Sequence, residues 1–302
     1  MKLRKLKRRK HLNSSRDLFA VLCLLPWLVG FVLFTLYPIE QSFLYSFSKT
    51  KFLPSGSVQL QPVGWENYVD VLFEDTKFKL ALVEYLQQIC YMVPIMVVFS
   101  LLTAIMLNTK IRFRGGFRMI YFLPVILMQG VLYDILMSLD AMSISGLSNF
   151  FVFRFITDNL PTAISSPIMY IMNHFVTIIW MSGVQILIFL AGLQRIDSRI
   201  YEAALVDGAG SWQSFWKITL PMMTRFTVIN GIYSVVSLST SSLNPFITII
   251  KDNMFTSGNG FGFSAAVTWL YFLLILFFVA VAAFVCNGCR IRERKPKRRE
   301  LQ

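Results

Sequence analysis

Residues 202–221 read EAALVDGAGSWQSFWKITLP. Arg199 to Asp207 can form a short helix, with Asp197 or Ser198 as its N-cap. Ala203 and Ala204 lack bulk, so another surface can approach that face closely. Gly208 permits the positive φ that ends a helix, and Ser211 is placed to cap a second helix running through Lys217. Trp212, Phe215, Trp216 and Ile218 are too apolar for a free aqueous surface, so this second helix is expected to pack back on the rest of the molecule. Pro221 is expected to break it. On residue chemistry alone the hairpin is either a docking knob for a soluble partner or a capped interfacial hairpin with no partner.

Outward from this stretch the chain becomes apolar. Leu18–Ile39, Tyr85–Asn108, Met119–Tyr133, Phe175–Gln194, Phe226–Ile250 and Phe261–Cys289 contain no charged residue. A bilayer core takes about 20 predominantly apolar residues in a helix, and Met119–Tyr133 reaches that length when extended to Leu139. Over the whole chain 55% of residues are hydrophobic and 15% charged, well short of the roughly 25% charged residues of soluble domains. The reading is an all-α integral membrane protein with six transmembrane helices. The first ends near Pro38, with Ser42–Gln61 as an outer loop. GWENYVDVLFED forms a short amphipathic piece, and Ser138–Ser166 an outer loop with a short helix. The fourth helix runs from about Ile168 to Leu193, and the fifth spans Phe226–Ile250 unbroken. In domain terms, 1–17 is a basic arm and 18–80 the first helix with its outer loop. Residues 81–286 form the core, including the loop 194–225, and 287–302 a basic tail.

The net charge of +13 could indicate nucleic acid, but its placement argues for a membrane. With six crossings and both termini inside, 23 of the 29 basic residues fall on the inner side and six on the outer. That is the asymmetry cytoplasmic loops carry, and the basic ends suit anionic lipid. The run from Leu18 is too long for an ordinary signal peptide and lacks a small-residue cleavage site.

The chemistry of an enzyme is missing from the sequence. There is no GxxxxGK[ST] phosphate loop, no HExxH and no carboxylate–histidine cluster, and no metal site is expected. His11 and His174 fall on opposite sides of the membrane. Cys23 and Cys90 are expected to pack as small hydrophobes, and Cys286 and Cys289 form a lone CxxC, weak evidence for zinc or redox chemistry. Asp134 is the only acidic residue within a crossing and lies near an outer end. Polar groups in a membrane segment face the bundle or a cavity. Gln185, Asn230, Ser234, Ser237, Ser241 and Asn244 are therefore a candidate solute pathway, with Ser234, Ser237 and Ser241 roughly on one helical face. Their simpler role is to hold helices together. An ion-driven secondary transporter would call for paired intramembrane carboxylates or an inverted repeat, and neither is visible.

The pattern Glu202-Ala203-Ala204, three residues, Gly208, nine residues, Ile218-x-Leu220-Pro221 resembles the EAA signature of permeases of binding-protein-dependent ABC importers. LLPWLVGFVLFTLYPIEQSFLYSF, GWENYVDVL, RGGFRMIYFLPVIL and IFLAGLQRIDSRIYEAALVDGAG are similar to the carbohydrate branch of that family, the maltose, multiple-sugar and glycerol-3-phosphate type. The resemblance covers most of residues 18–285. It implies a type I importer permease fold with both termini cytoplasmic, in a bacterial cytoplasmic membrane. It implies passage of a sugar or oligosaccharide, or alternatively a glycerol phosphate or other polyol. The implied partners are a second homologous permease, an ATPase dimer that carries the ATP and magnesium, an extracytoplasmic binding protein and membrane lipid, with no nucleic acid. No cofactor is implied on this chain. Glu202, Ala203, Ala204, Asp207, Gly208, Ile218, Leu220 and Pro221 would then couple the ATPase to the membrane helices, and Gln185 falls where similar permeases contact substrate. The chain departs from the family at 251–263, where similar permeases carry a Gly-Gly-Pro stretch and a longer aromatic segment.

Overall fold

The computed structural model describes residues 14–52, 58–109, 115–116, 119, 151–242, 244–254 and 260–293. The expected third helix, Met119–Leu139, lies outside them apart from Met119, as do Asp134, His11 and most of the basic ends. The chain divides into two compact units, Met1–Glu74 with Asp252–Trp269 and Asp75–Lys251 with Leu270–Gln302.

In the first unit, α1 (Ser14–Phe31) passes through a π-helical turn at Val32–Leu36 into α2 (Tyr37–Ser46). Pro38 does not end this helix as expected. It follows the π-helical turn, where the Tyr37 amide reaches back to Val32 O and the wider turn gives the proline ring room. Ser42–Gln61 is likewise not all loop: β1 (Ser48–Phe52) and β2 (Val58–Pro62) pair antiparallel, Ser48 opposite Pro62. α3 (Glu66–Val69) follows, and Asn67 ties it back by donating to the carbonyls of Ser46 and Ser48, at 2.9 and 3.1 Å. Lys49 pairs with Glu66, whose carboxylate holds the lysine pKa above its ordinary 10.5. A raised lysine pKa means the pairing is intact at neutral pH and fades only as pH climbs through the raised value. The first ten residues of α13 (Gly260–Glu293) complete the unit, with the Gly262 amide donating to Thr50 Oγ1 at 3.2 Å.

The second unit is built on α4 (Thr76–Asn108), which carries Pro94 in its interior. α5 (Phe151–Asn159) precedes α6 (Thr162–Asn173), α7 (Phe175–Met181) and α8 (Gly183–Leu193). The expected single helix from Ile168 to Leu193 is therefore broken. α6 and α7 meet at a 57° bend around His174, whose ring stacks on Tyr170 and hydrogen-bonds its carbonyl at 2.8 Å. Ser182, between α7 and α8, donates back to the Ile178 carbonyl at 2.5 Å, a bond that bends helices.

α9 (Ser198–Val206) and α10 (Ser211–Ser214) form the loop between α8 and α11 (Leu220–Thr240), and α12 (Pro245–Met254) follows. Leu101, Ala104, Leu107, Ile186, Phe189, Leu190, Leu193 and Met223 make one core cluster. Gly192 allows its tightest approach, since a Cβ there would stand 2.7 Å from the Phe226 ring.

The expected continuous fifth helix also breaks, between Thr240 and Pro245. Proline disfavours helical backbone in the residue before it, and Asn244 supplies the cap of the next helix by accepting from the Phe246 amide at 3.0 Å.

Among the described residues three helices are long and apolar enough to cross a membrane, Val21–Ser46, Thr76–Asn108 and Gly260–Phe284. They become four if the bent α6–α7 pair is one span. None of the most apolar window of Val21–Ser46 is buried. A helix that is apolar all round and uncovered by its own chain suits lipid or a partner within it. Cys23 and Cys90 are exposed on such surfaces rather than packed inside.

Candidate functional site

The loop between α8 and α11 is held by local chemistry that the sequence supplies at each corner. Asp197 is the N-cap of α9 and accepts from the Arg199 amide at 3.0 Å. The other end closes on Gly208, with φ +79°. The Gly208 amide donates to Leu205 O at 3.0 Å and the Ala209 amide to Ala204 O at 2.9 Å. These two bonds are the Schellman closure, which needs a residue in the left-handed region at that position.

The chain is already extended at Gly210, with ψ 167°, so Gly210 and not Ser211 is the N-cap of α10, and it offers no side-chain bond. Ser211 becomes the first helical residue. Pro221 does not break the next helix either. A π-helical turn at Phe215–Thr219 links α10 to α11, and Pro221 occupies the first turn of α11. The Leu220 amide reaches back to Phe215 O across this wide turn. The result is one rod from Ser211 to Thr240.

The motif residues divide by burial. Glu202, Ala203, Asp207 and Gly208 are exposed. Thr219 is buried and shares a 2.9 Å hydrogen bond with Tyr201 Oη, which ties α9 to the rod. Leu220 packs against the core cluster, and Ile218 is half-buried. A cleft of about 520 Å³ opens between α9 and the rod, lined by Ile105, Tyr201, Glu202, Leu205, Phe215 and Thr219 among others. The aromatic face does not pack back as expected. Trp212 is 73% exposed and Trp216 50%, and on α9 Leu205 and Val206 are exposed as well. Trp212 and Trp216 meet edge to face at 5.6 Å.

Of the candidate pathway residues, the structure joins three. Gln185 of α8 donates from Nε2 to Ser234 Oγ at 3.2 Å. Ser234 donates to Asn230 O at 2.8 Å, and Asn230 Nδ2 donates to Gln185 O at 3.2 Å. All three are fully buried. The Ser234 proton is committed to Asn230 O, so Gln185 must present its NH₂ to Ser234, and Asn230 its NH₂ to a carbonyl. Both amide orientations are therefore fixed, and both amide oxygens, Gln185 Oε1 and Asn230 Oδ1, are left without a donor among the described residues. Asn244 belongs to a different cluster, with Tyr271, Ser239 and Tyr85. Ser237 joins neither, and Ser241 meets Asn244 through the backbone, its carbonyl accepting from the Asn244 amide at 3.0 Å. Ser239 is one of the run of polar residues on the fifth helix, but Tyr85 and Tyr271 are missed by sequence reading, since a tyrosine in an apolar helix gives no signal of its own.

No group of three or more His, Cys, Asp or Glu side chains that could hold a metal occurs among the described residues. The polar residues buried among the described ones are amides, hydroxyls and no ionised groups.

No family model matches the chain. An arabinooligosaccharides transport system permease protein of Bacillus subtilis is 32% identical over 222 residues, 67% of this chain and 63% of that one. A probable ABC transporter permease protein of Pyrococcus horikoshii is 31% identical over 221 residues, 72% of this chain and 74% of that protein. Among solved structures, a bacterial alginate ABC transporter in complex with an alginate pentasaccharide-bound periplasmic protein matches with a TM-score of 0.58. That match has 18% identity and covers 89% of this chain and 93% of that one, a likeness of fold. With a membrane-suited helical fold, the capped loop and these relatives together, the chain belongs to the ABC transporter permeases.

Proposed function

We propose that this chain is a membrane-spanning subunit of an ATP-driven importer that passes a sugar or oligosaccharide handed over by an extracytoplasmic binding protein. It sits in a bacterial cytoplasmic membrane with six crossings and both termini inside. It pairs with a second homologous permease, and it docks on an ATPase dimer that holds the ATP and magnesium and does the hydrolysis. The observation that carries the reading is α9. It is a nine-residue helix capped at both ends, exposed, tied to the rod by Tyr201 and closed by Gly208. That is the shape of a lever head, and motion forced on it enters a rod that continues as α11. Glu202, Ala203, Ala204, Asp207 and Gly208 form the contact, while Ile218, Leu220 and Pro221 root it. The sugar class is supported by the names of the relatives and by the chemistry of the Gln185–Asn230–Ser234 cluster. Its spare groups are neutral acceptors, complementary to hydroxyl donors.

The test reconstitutes the chain with its partner subunits in proteoliposomes and combines Glu202→Lys with Ala203→Asp. A new cation and a buried-facing carboxylate on the contact face should reduce ATPase retention and ATP-driven uptake by at least about tenfold, equivalent to ~1.4 kcal/mol, while the chain still inserts. Wild-type rates from the double variant would sink the docking assignment. The wild-type complex is offered arabino-oligosaccharides and alginate oligosaccharides, and ATP-driven uptake of neither would sink the sugar class instead.

A further inference from the structure

The break between α11 and α12 lies within the proposed fifth crossing, among buried residues where unsatisfied backbone groups have no water to turn to. Such a break persists only where neighbouring side chains satisfy it. Tyr271 of α13 does so from both sides. Its hydroxyl donates to Ser239 O at 2.8 Å, in the last turn of α11, and accepts from Asn244 Nδ2 at 2.7 Å, at the start of α12. Asn244 completes the circuit with its other end, accepting from the Phe246 amide. The Tyr271 ring stacks on Phe246 with centroids 4.6 Å apart. Tyr85 of α4 lies edge-on at 5.4 Å.

The proton inventory makes the directions unique. Ser239 donates its proton to Val235 O, so the 2.6 Å contact with Tyr85 is Tyr85 donating to Ser239 Oγ. The Tyr271 proton goes to Ser239 O, so Asn244 can only be its donor. Tyr85, Ser239, Asn244 and Tyr271 are all at least nine-tenths buried. The two tyrosines differ in one respect. Tyr85 bonds to Ser239 on the α11 side of the break and to Tyr271 itself, with no bond to α12 among the described residues, whereas Tyr271 bonds directly to both sides.

We infer that Tyr271 is a positioning residue for transport: its hydroxyl locks the two halves of the broken helix into one rigid body, so that displacement entering α11 from the cytoplasmic loop is delivered undiminished to α12. The inference rests on the lever reading of α9 and adds where the lever could slip.

The experiment uses the assembled transporter in lipid nanodiscs with Cys23, Cys90, Cys286 and Cys289 replaced by serine. Nitroxides are placed at Ile229→Cys and Thr248→Cys, exposed positions on either side of the break. The interspin distance is measured without nucleotide and after trapping with Mg-ATP and vanadate. In the wild type it should be the same in both states. Tyr271→Phe, which keeps the stacked ring, should broaden the distribution about twofold, as a hinge freed from its tether does. Tyr85→Phe, an equal loss of one hydroxyl in the same knot, should leave it unchanged. A wild-type distance that changes on trapping, or equal broadening by both variants, overturns the proposal. Should Tyr271→Phe fail to assemble, Asn244→Ala removes the same bridge from the other side and must broaden the distribution alike. A wild-type complex that does not trap nucleotide counts against the proposed function. The nucleotide-free comparison of Tyr271→Phe with Tyr85→Phe then still decides the lock.

Discussion

Gly208 is the residue on which the loop between α8 and α11 turns. Any other L-residue at φ +79° costs about 1–2 kcal/mol, and a β-branched one more. Nothing lies within 4 Å of where its Cβ would be, so the cost is conformational and not steric. Gly208→Val should therefore leave the membrane body's thermal midpoint nearly unchanged and weaken ATPase co-purification severalfold. Gly208→Asn, which tolerates the left-handed region, should restore most of it. Equal retention by Gly208→Val and wild type would remove the glycine from the mechanism. This corner was legible in the sequence because a helix end has a local grammar: an acid at the N-cap, a glycine after the last turn. Ser211 misled for the same reason. It has the right chemistry for a cap, but Gly210 is already extended and takes the position one residue earlier.

At the scale of elements, sequence reading falls short where a break signalled by a helix's own residues is stabilised by its neighbours. The apolar run from Phe226 to Ile250 shows no charge and no glycine beyond Gly231, yet the helix stops at Thr240. Asn244 and Pro245 mark the restart, and Tyr271, 32 positions beyond Ser239, stabilises the stop by donating to the Ser239 carbonyl. No window on the fifth helix contains that partner. The α8–α11 contact was half legible. Gln185, Asn230 and Ser234 stood out as polar groups in apolar helices, but their mutual bonding and their two spare oxygens depend on how the helices face each other. Hydrogen bonds between membrane helices average about 0.6 kcal/mol. Ser234→Ala removes two bonds and strands the Gln185 NH₂, so it should destabilise the chain by about 1 kcal/mol in a detergent unfolding titration. Adding Gln185→Leu should recover part of that loss, since removing both partners is nearly neutral. If the two losses simply add, the bonding described between α8 and α11 does not hold the helices.

Across the described residues the outside departs from that of a soluble protein, although the core is apolar too. Large apolar side chains such as Phe34, at 83% exposure, lie on the surface, while amides such as Gln185 and Asn244 are fully enclosed. Composition alone announced this, because apolar runs of membrane length dominate the chain. What composition could not announce is the exposed aromatic face at Trp212 and Trp216, which the rest of the described chain leaves uncovered.

That exposure has a consequence for the life of the chain in a cell. In the proposed assembly, a copy made in excess of its partners displays two indoles, a leucine and a valine, the kind of surface that quality-control proteases engage. Abundance should then follow the scarcest subunit of the complex. In a pulse-chase experiment the chain expressed alone should turn over severalfold faster than the chain co-expressed with the ATPase. Trp212→Ser with Trp216→Ser should lengthen the orphan's half-life, and an unchanged half-life would show that degradation is triggered elsewhere. The two rings that a partner would cover in the proposed complex would mark a solitary subunit for destruction.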